Sequence, residues 1–184
     1  MSRGLGDVYK RQEFATFSPI MRFHGVTPRE PWAYSRYAVS VYKFYAWLRE
    51  NLLKYSVHTA EEAHKTGIPM MRPLPMVFPE DKEAVYWEDE YFYGSDLLVA
   101  PVHQEGEKRR IYFPSGSWIN LLDFRKMVGG NRIFQVDVPI DKIPVYIREG
   151  ACILSVMNGE LQLGQSMTYE KKNTVLMSLS LIHI

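Results

Sequence analysis

Residues 35–67 read SRYAVSVYKFYAWLRENLLKYSVHTAEEAHKTG, and their periodicity organises the rest of the chain. Val41, Phe44, Tyr45, Leu48, Leu52 and Tyr55 recur at helical spacing, which gathers them on one face of an α-helix. Ser35 offers a side-chain oxygen to cap the first turn. Lys65 followed by Gly67 and Pro69 is a stop signal. A helix of about 30 residues is longer than globular helices usually are, so a bend is expected within it. The aromatic stripe reads as core rather than as a ligand platform.

Working outward, residues 13–25 read EFATFSPIMRFHG. The apolar run from Phe17 to Phe23, broken only by Ser18 and Arg22 and carrying a proline, predicts a short buried strand of a parallel sheet. A loop rich in Gly, Pro and charge follows, from Gly25 to Pro31. Beyond Gly67 the apolar runs become short: Leu97–Ala100, Arg110–Phe113, Ile133–Val136 and Val145–Ile147. Turn signals separate them, at Glu105-Gly106, Pro114-Ser115-Gly116, Gly129-Gly130 and Glu149-Gly150. That spacing predicts an antiparallel sandwich or barrel. The fold class expected is α/β plus all-β, a strand and long helix followed by a β-module.

Of the 184 residues, 46% are hydrophobic and 23% charged, proportions of a globular protein rather than a disordered or fibrous one. A formal net charge of +1 argues against nucleic acid as a partner, which usually selects a basic stripe. Lys108-Arg109-Arg110 is the one basic run and reads as a solvated loop end. No stretch reaches the roughly 18 uninterrupted apolar residues of a membrane span, so no membrane partner is expected. The basic N-terminus lacks the apolar stretch of a secretory signal. Cys152 stands alone, so it forms no internal disulfide, and its apolar neighbours predict a buried, inert thiol.

The two ends mirror each other at the level of codons. Asp7 to Gln12 can be encoded by GATGTGTATAAGAGACAG, and the reverse complement of that string encodes Leu179 to Ile184. The pair resembles a transposase mosaic end used in library preparation. Residues 1–12 and 179–184 are therefore expected to be translated adapter, leaving about residues 13 to 178 as natural sequence.

Candidate chemistry is sparse. Arg22-Phe23-His24 follows the expected strand, and polar residues at the C-terminal ends of (β/α)8 strands face the active site. His24 suits a sugar hydroxyl, although composition alone favours a structural role. Glu88-Asp89-Glu90 is acidic, but glycoside hydrolysis needs two carboxyls held across the scissile bond, about 5 Å apart for retention. Adjacent residues in an exposed run are not held that way, so a solvated or ion-paired role is expected. Glu61-Glu62 reads as a surface pair on the helix. His58, His64 and His103 lack metal-ligand spacing. Phosphate-loop and nucleophile-elbow motifs are absent from the sequence.

Seven motifs in a fixed order carry a resemblance. Phe14–Gly25, Pro28–Trp32, Thr66–Leu74, Phe78–Asp81, Tyr93–Val102, Pro114–Trp118 and Ile143–Ala151 look like successive segments of glycoside hydrolase family 31, over about residues 13 to 155. The resemblance implies that residues 13–78 end the catalytic (β/α)8 barrel with its last strand and long last helix. It further implies a proximal β-sandwich over 79–155 and the start of a distal β-domain over 156–178. The family implies a retaining α-glucosidase or α-xylosidase acting by double displacement through two aspartates. Both aspartates belong to motifs upstream of Phe17 that do not occur here, so no catalytic residue is assigned and the piece is expected to be inactive alone. His24 matches the histidine that hydrogen-bonds the sugar in the −1 subsite. Arg22 matches a strand-end arginine, placed as subsite scaffold. No cofactor is implied, because the chemistry needs only carboxylates and water. The partner implied is an oligosaccharide or glycoside substrate of the full-length parent. Lys54 departs from the family's usual proline, which predicts a straighter helix there.

Two further expectations follow. Without the rest of the barrel, the aromatic stripe of the helix is expected to be exposed and the piece poorly soluble. The alternative functions are a non-catalytic sugar-binding sandwich using Trp118 or Trp87, and a structural module docking through the helix.

Overall fold

The computed structural model describes residues 5–23, 28–103, 108–124, 126–157, 163–166 and 173–178. A first helix, α1 (Leu5–Thr16), precedes the long helical stretch, which is split into α2 (Arg36–Asn51) and α3 (Leu53–Thr66). Ser35 caps α2, its Oγ accepting from the Ala38 N–H at 3.0 Å. Gly67 closes α3 in the left-handed region at φ 76°, donating to Ala63 O.

The expected bend falls at Leu52, and Asn51 accounts for it. Its buried side chain donates to Val156 O at 2.6 Å and accepts from Gly164 N at 2.8 Å. Ser155 Oγ donates to the Asn51 carbonyl at 3.0 Å, competing for an oxygen that a continuous helix uses four residues on. Lys54 therefore does not leave the helix straight: the break is set one turn earlier by ties to distant chain.

Among the described residues ten strands follow α3: β1 (Met71–Pro73), β2 (Tyr91–Tyr93), β3 (Leu97–Val99), β4 (Lys108–Phe113), β5 (Ser117–Asn120), β6 (Lys126–Val128), β7 (Arg132–Asp137), β8 (Val145–Arg148), β9 (Cys152–Met157) and β10 (Asn173–Ser178). Six of them form one antiparallel sheet in the order β1-β2-β3-β8-β5-β6, while β4 pairs with β7 and β9 with β10.

Side chains alternate across that sheet, and both faces are covered. Tyr93, Leu97, Val99, Ile119, Val145 and Ile147 point toward the helices, where Val41, Tyr45, Leu48, Leu52 and Tyr55 meet them. Phe92, Leu98, Trp118 and Tyr146 point the other way, into a second core with Ile111, Tyr112 and Phe113 of β4. Burial on both faces is why Leu97-Leu98-Val99-Ala100 reads as an unbroken apolar run. The described residues thus form a helix layer, an antiparallel sheet and two two-stranded ribbons, β4–β7 and β9–β10. The edge strand β1 precedes residue 79 yet lies in the same sheet as the strands after it.

Four further expectations are corrected. The stripe is not exposed: every member except the half-buried Phe44 is buried, because this chain's own sheet covers it. Phe17–Phe23 is not a strand. The chain leaves α1 in a turn at Phe17 and runs on irregularly, since a parallel strand forms only beside a partner and no described strand flanks it. Cys152 is exposed, because strand alternation turns it away from the buried Ile153 beside it. Lys108-Arg109-Arg110 begins β4 rather than ending a loop, and Arg109 is ion-paired.

Candidate functional site

Arg22 is exposed on the irregular segment after α1, and His24 lies outside the described residues. What the structure defines is the mounting of that segment. Arg49, projecting from α2, donates to the carbonyls of Ala15, Thr16, Ser18 and Pro19 at 2.7–3.1 Å. Helix C-termini leave carbonyls without partners, and a guanidinium fork can serve several at once. Tyr91 Oη adds a bond to Phe17 O at 2.9 Å, and Ser18 Oγ donates to Ala15 O and Ile20 O. Phe23 then packs against Tyr42 and Trp32, with ring centroids 5.0 and 6.5 Å away. Trp32 itself is 70% exposed. The segment carrying Arg22 is therefore pinned at its root and presented at the surface beside an open aromatic ring.

Two carboxyls have raised affinity for protons. Burial pushes Glu13 up to about 7, against the pull of Lys10, which bonds it at 3.2 Å. Burial likewise pushes Glu90 up to about 8, although its Oε1 accepts from Tyr112 N at 3.1 Å and Arg109 stands 3.7 Å off. Glu13 faces Lys10, Asp141 and Lys142, whereas Glu90 faces Tyr112, Arg109 and Asp89. With no neighbour in common, the two do not form a pair spanning a glycosidic bond.

The acidic run resolves residue by residue. Glu88 is exposed. Asp89 accepts from Arg109 at 2.7 Å, with His103 at 3.5 Å. Burial raises its carboxyl, but Arg109, helped by His103, outweighs that and holds it below the ordinary value. The ion-paired role expected for the run holds for Asp89, while the burial of Glu90 was missed. The alternation offered the signal: Glu90 stands two residues before Phe92 and so shares its buried face. Glu62 is likewise more than a surface group, since it holds the buried Arg72 at 2.6 Å. Of the two tryptophans proposed as a sugar platform, Trp118 is fully buried and Trp87 is half-buried. Among the described residues, no cluster of His, Cys, Asp and Glu is placed to hold a metal, and no helix is long and apolar enough to cross a membrane.

Comparison with known proteins adds three findings. Residues 67–153 match the glycosyl hydrolase family 31 C-terminal domain. An isomaltosyltransferase of Sporosarcina globispora is 34% identical over 173 residues, 86% of this chain and 16% of that protein. An alpha-xylosidase of Saccharolobus solfataricus is 34% identical over 144 residues, 77% of this chain and 20% of that protein. Among solved structures, the cycloalternan-forming enzyme of Listeria monocytogenes, in complex with a pentasaccharide substrate, superposes with a TM-score of 0.88. It is 30% identical, covering 96% of this chain and 18% of that one. The chain spans about a fifth or less of the length of the curated relatives it matches.

Proposed function

Because the chain belongs to glycosyl hydrolase family 31 through its C-terminal domain, we propose that it is a piece of a retaining α-glycosidase acting on terminal α-glucosidic or α-xylosidic bonds. In the whole enzyme one aspartate attacks the anomeric carbon while a second protonates the leaving oxygen, and water then releases the sugar from the enzyme. Both aspartates come from the parent's remaining length, so this piece alone is inactive. Residues 13–78 complete the barrel, residues 79–155 form the proximal β-sandwich, and residues 156–178 begin a distal domain. His24 bonds the sugar in the −1 subsite, and Arg22 braces that subsite.

The observation that carries this reading is the likeness to a saccharide-bound relative over nearly the whole chain. The clamp of Arg49 on Ala15–Pro19 supports the placement of Arg22 and His24, since a subsite needs a rigid root. Residues 1–12 and 179–184 are translated adapter in this proposal.

The test is to sequence the source locus across both ends, express the parent it encodes, and assay aryl α-glucosides and α-xylosides. Activity in the parent, none in this chain, and a loss of about 100-fold or more in kcat/KM for His24→Ala are expected, the size of a transition-state hydrogen bond. Hydrolysis by the 184-residue chain alone would refute the assignment.

A further inference from the structure

Trp87 and its surroundings lie on the opposite side of the sheet from Arg22, in the layer built by β4 and β7, and the reading above leaves them unused. A short 3-10 turn, Ala84–Tyr86, ends there and leaves the Tyr86 ring 79% exposed. Beside it opens a cavity of about 440 Å³ lined by Glu83, Tyr86, Trp87, Glu88, Asp89, Arg110 and Ile133. Trp87 is a fixed wall. Its ring stacks on Tyr112 at 5.7 Å between centroids and 15° between planes, and its Nε1 donates to Glu83 at 3.4 Å. Tyr112 is anchored in turn by its hydroxyl, 2.6 Å from Asp81. A large exposed aromatic beside a half-buried one, rimmed by carboxylates and a guanidinium, offers a guest an apolar face and polar partners together.

The chemistry of the rim narrows the guest. The Glu88 carboxylate and the Arg110 guanidinium have hydrogen-bonding capacity that no described residue takes up, so acceptors and donors face the same space. Carboxylates on the rim disfavour an anion. A cation is disfavoured too, because Arg110 already lies over the Trp87 ring, 5.9 Å from its centroid. A neutral molecule that both donates and accepts, and has an apolar face to lay on a ring, fits: the pyranose of a saccharide. We infer that Tyr86, Trp87, Glu88 and Arg110 form a second saccharide-binding site, distinct from the Arg22–His24 segment. It binds a neutral α-glucan by stacking one ring on Tyr86 while neighbouring hydroxyls bond Glu88 and Arg110. The choice of α-glucan rests on the glycosidase reading. The site holds substrate near the enzyme and takes no part in bond cleavage.

Isothermal titration of the 184-residue chain with isomaltotriose and with maltotriose tests the inference. Saturable binding to at least one is expected, weakened about fivefold or more by Tyr86→Ala and again by Glu88→Gln, the loss that one aromatic contact or one charged hydrogen bond carries. Both residues are exposed, so the variants should melt with the parent chain, and melting curves check that. No saturable binding of either sugar would overturn the site, as would binding that survives both substitutions. Failure of the glycosidase reading shows elsewhere, as a full-length parent that cleaves neither α-glucosides nor α-xylosides.

Discussion

Replacing Glu90 by Gln should remove a pH dependence that the folded chain otherwise carries. Glu90 is 2% exposed; its Oε1 accepts from Tyr112 N, and its Oε2 has no hydrogen-bond partner among the described residues. Burial pushes the carboxyl up to about 8, with the neighbouring Asp89 charge acting in the same direction. The Tyr112 N–H and Arg109 oppose this without offsetting it. A folded value above the unfolded one means that the folded state keeps a proton the unfolded state has released. Stability from Glu90 is therefore full below about 4.5, its ordinary value, and is lost as pH rises through about 8. Where only the folded state is protonated, the slope is about 1.4 kcal/mol per pH unit, so about 2 kcal/mol disappears between roughly pH 5 and pH 6.5. Gln keeps an acceptor for the Tyr112 N–H and does not titrate. Urea unfolding of both proteins at about pH 5, 6.5 and 8 should show the variant gaining on the parent by about 2 kcal/mol over the first interval and by slightly less over the second, where the slope flattens as pH nears about 8. A residual slope below about pH 7 belongs to Glu13, whose carboxyl is raised for the same reason. Parallel stability curves for the two proteins would refute the reasoning, because Glu90 would then be ionised in the fold and held by Arg109.

Arg49→Lys should lower stability by about 2 kcal/mol in thermal melts, since an ammonium cannot span the carbonyls of Ala15, Thr16, Ser18 and Pro19 as the fork does. Gly94→Ala should cost on the order of 3 kcal/mol in urea, because φ is 70° there and an added Cβ would collide with the Tyr55 hydroxyl. Gln12→Leu should raise the melting midpoint, worth about 1 kcal/mol, by removing two buried amide atoms that have no partner among the described residues. A fall would mean that the amide has a partner.

The parts of the fold legible in the sequence are those a single periodicity decides. Ser35, Gly67 and the stripe from Val41 to Tyr55 set one helix face, its start and its stop, and the structure has all three. The apolar runs near residues 97, 110, 133 and 145 are strands as expected. Periodicity says which residues share a face and leaves open what covers it. That is why the stripe was expected bare, why Cys152 was expected inside, and why Trp118 was considered for a sugar platform. Long-range ties were invisible for the same reason. Nothing near Arg49 announces four carbonyls some 30 residues earlier, and nothing near Asn51 announces Val156 and Gly164. Phe17–Phe23 failed differently, because a parallel strand is a property of its neighbours as much as of its own residues.

The same principle separates two halves of the helical core. On the α2–α3 side, polar groups within the apolar stripe are matched to fixed positions in the β-layer. Tyr45 Oη donates to Asp141 O and accepts from Ile143 N, and Tyr55 Oη donates to Tyr93 O and accepts from Asp96 N. Asn51 ties the break between the helices to β9. Each bond is satisfied in one register only, so sliding the helices along the sheet would strand several buried polar atoms at about 1–3 kcal/mol apiece. On the α1 side the apolar contacts are present, with Tyr9 and Phe17 buried against the same core, and Lys10 bonds Lys142 O, but Tyr9 Oη, the Gln12 amide and Glu13 Oε1 have no partner among the described residues. Hydrophobic burial alone can be met by many sequences, whereas polar matching at a distance fixes one register. By that criterion α2, α3 and the sheet form one register-locked unit, to which α1 is tied by Lys10, bonded to Lys142 O, and by Arg49 on Ala15 and Thr16.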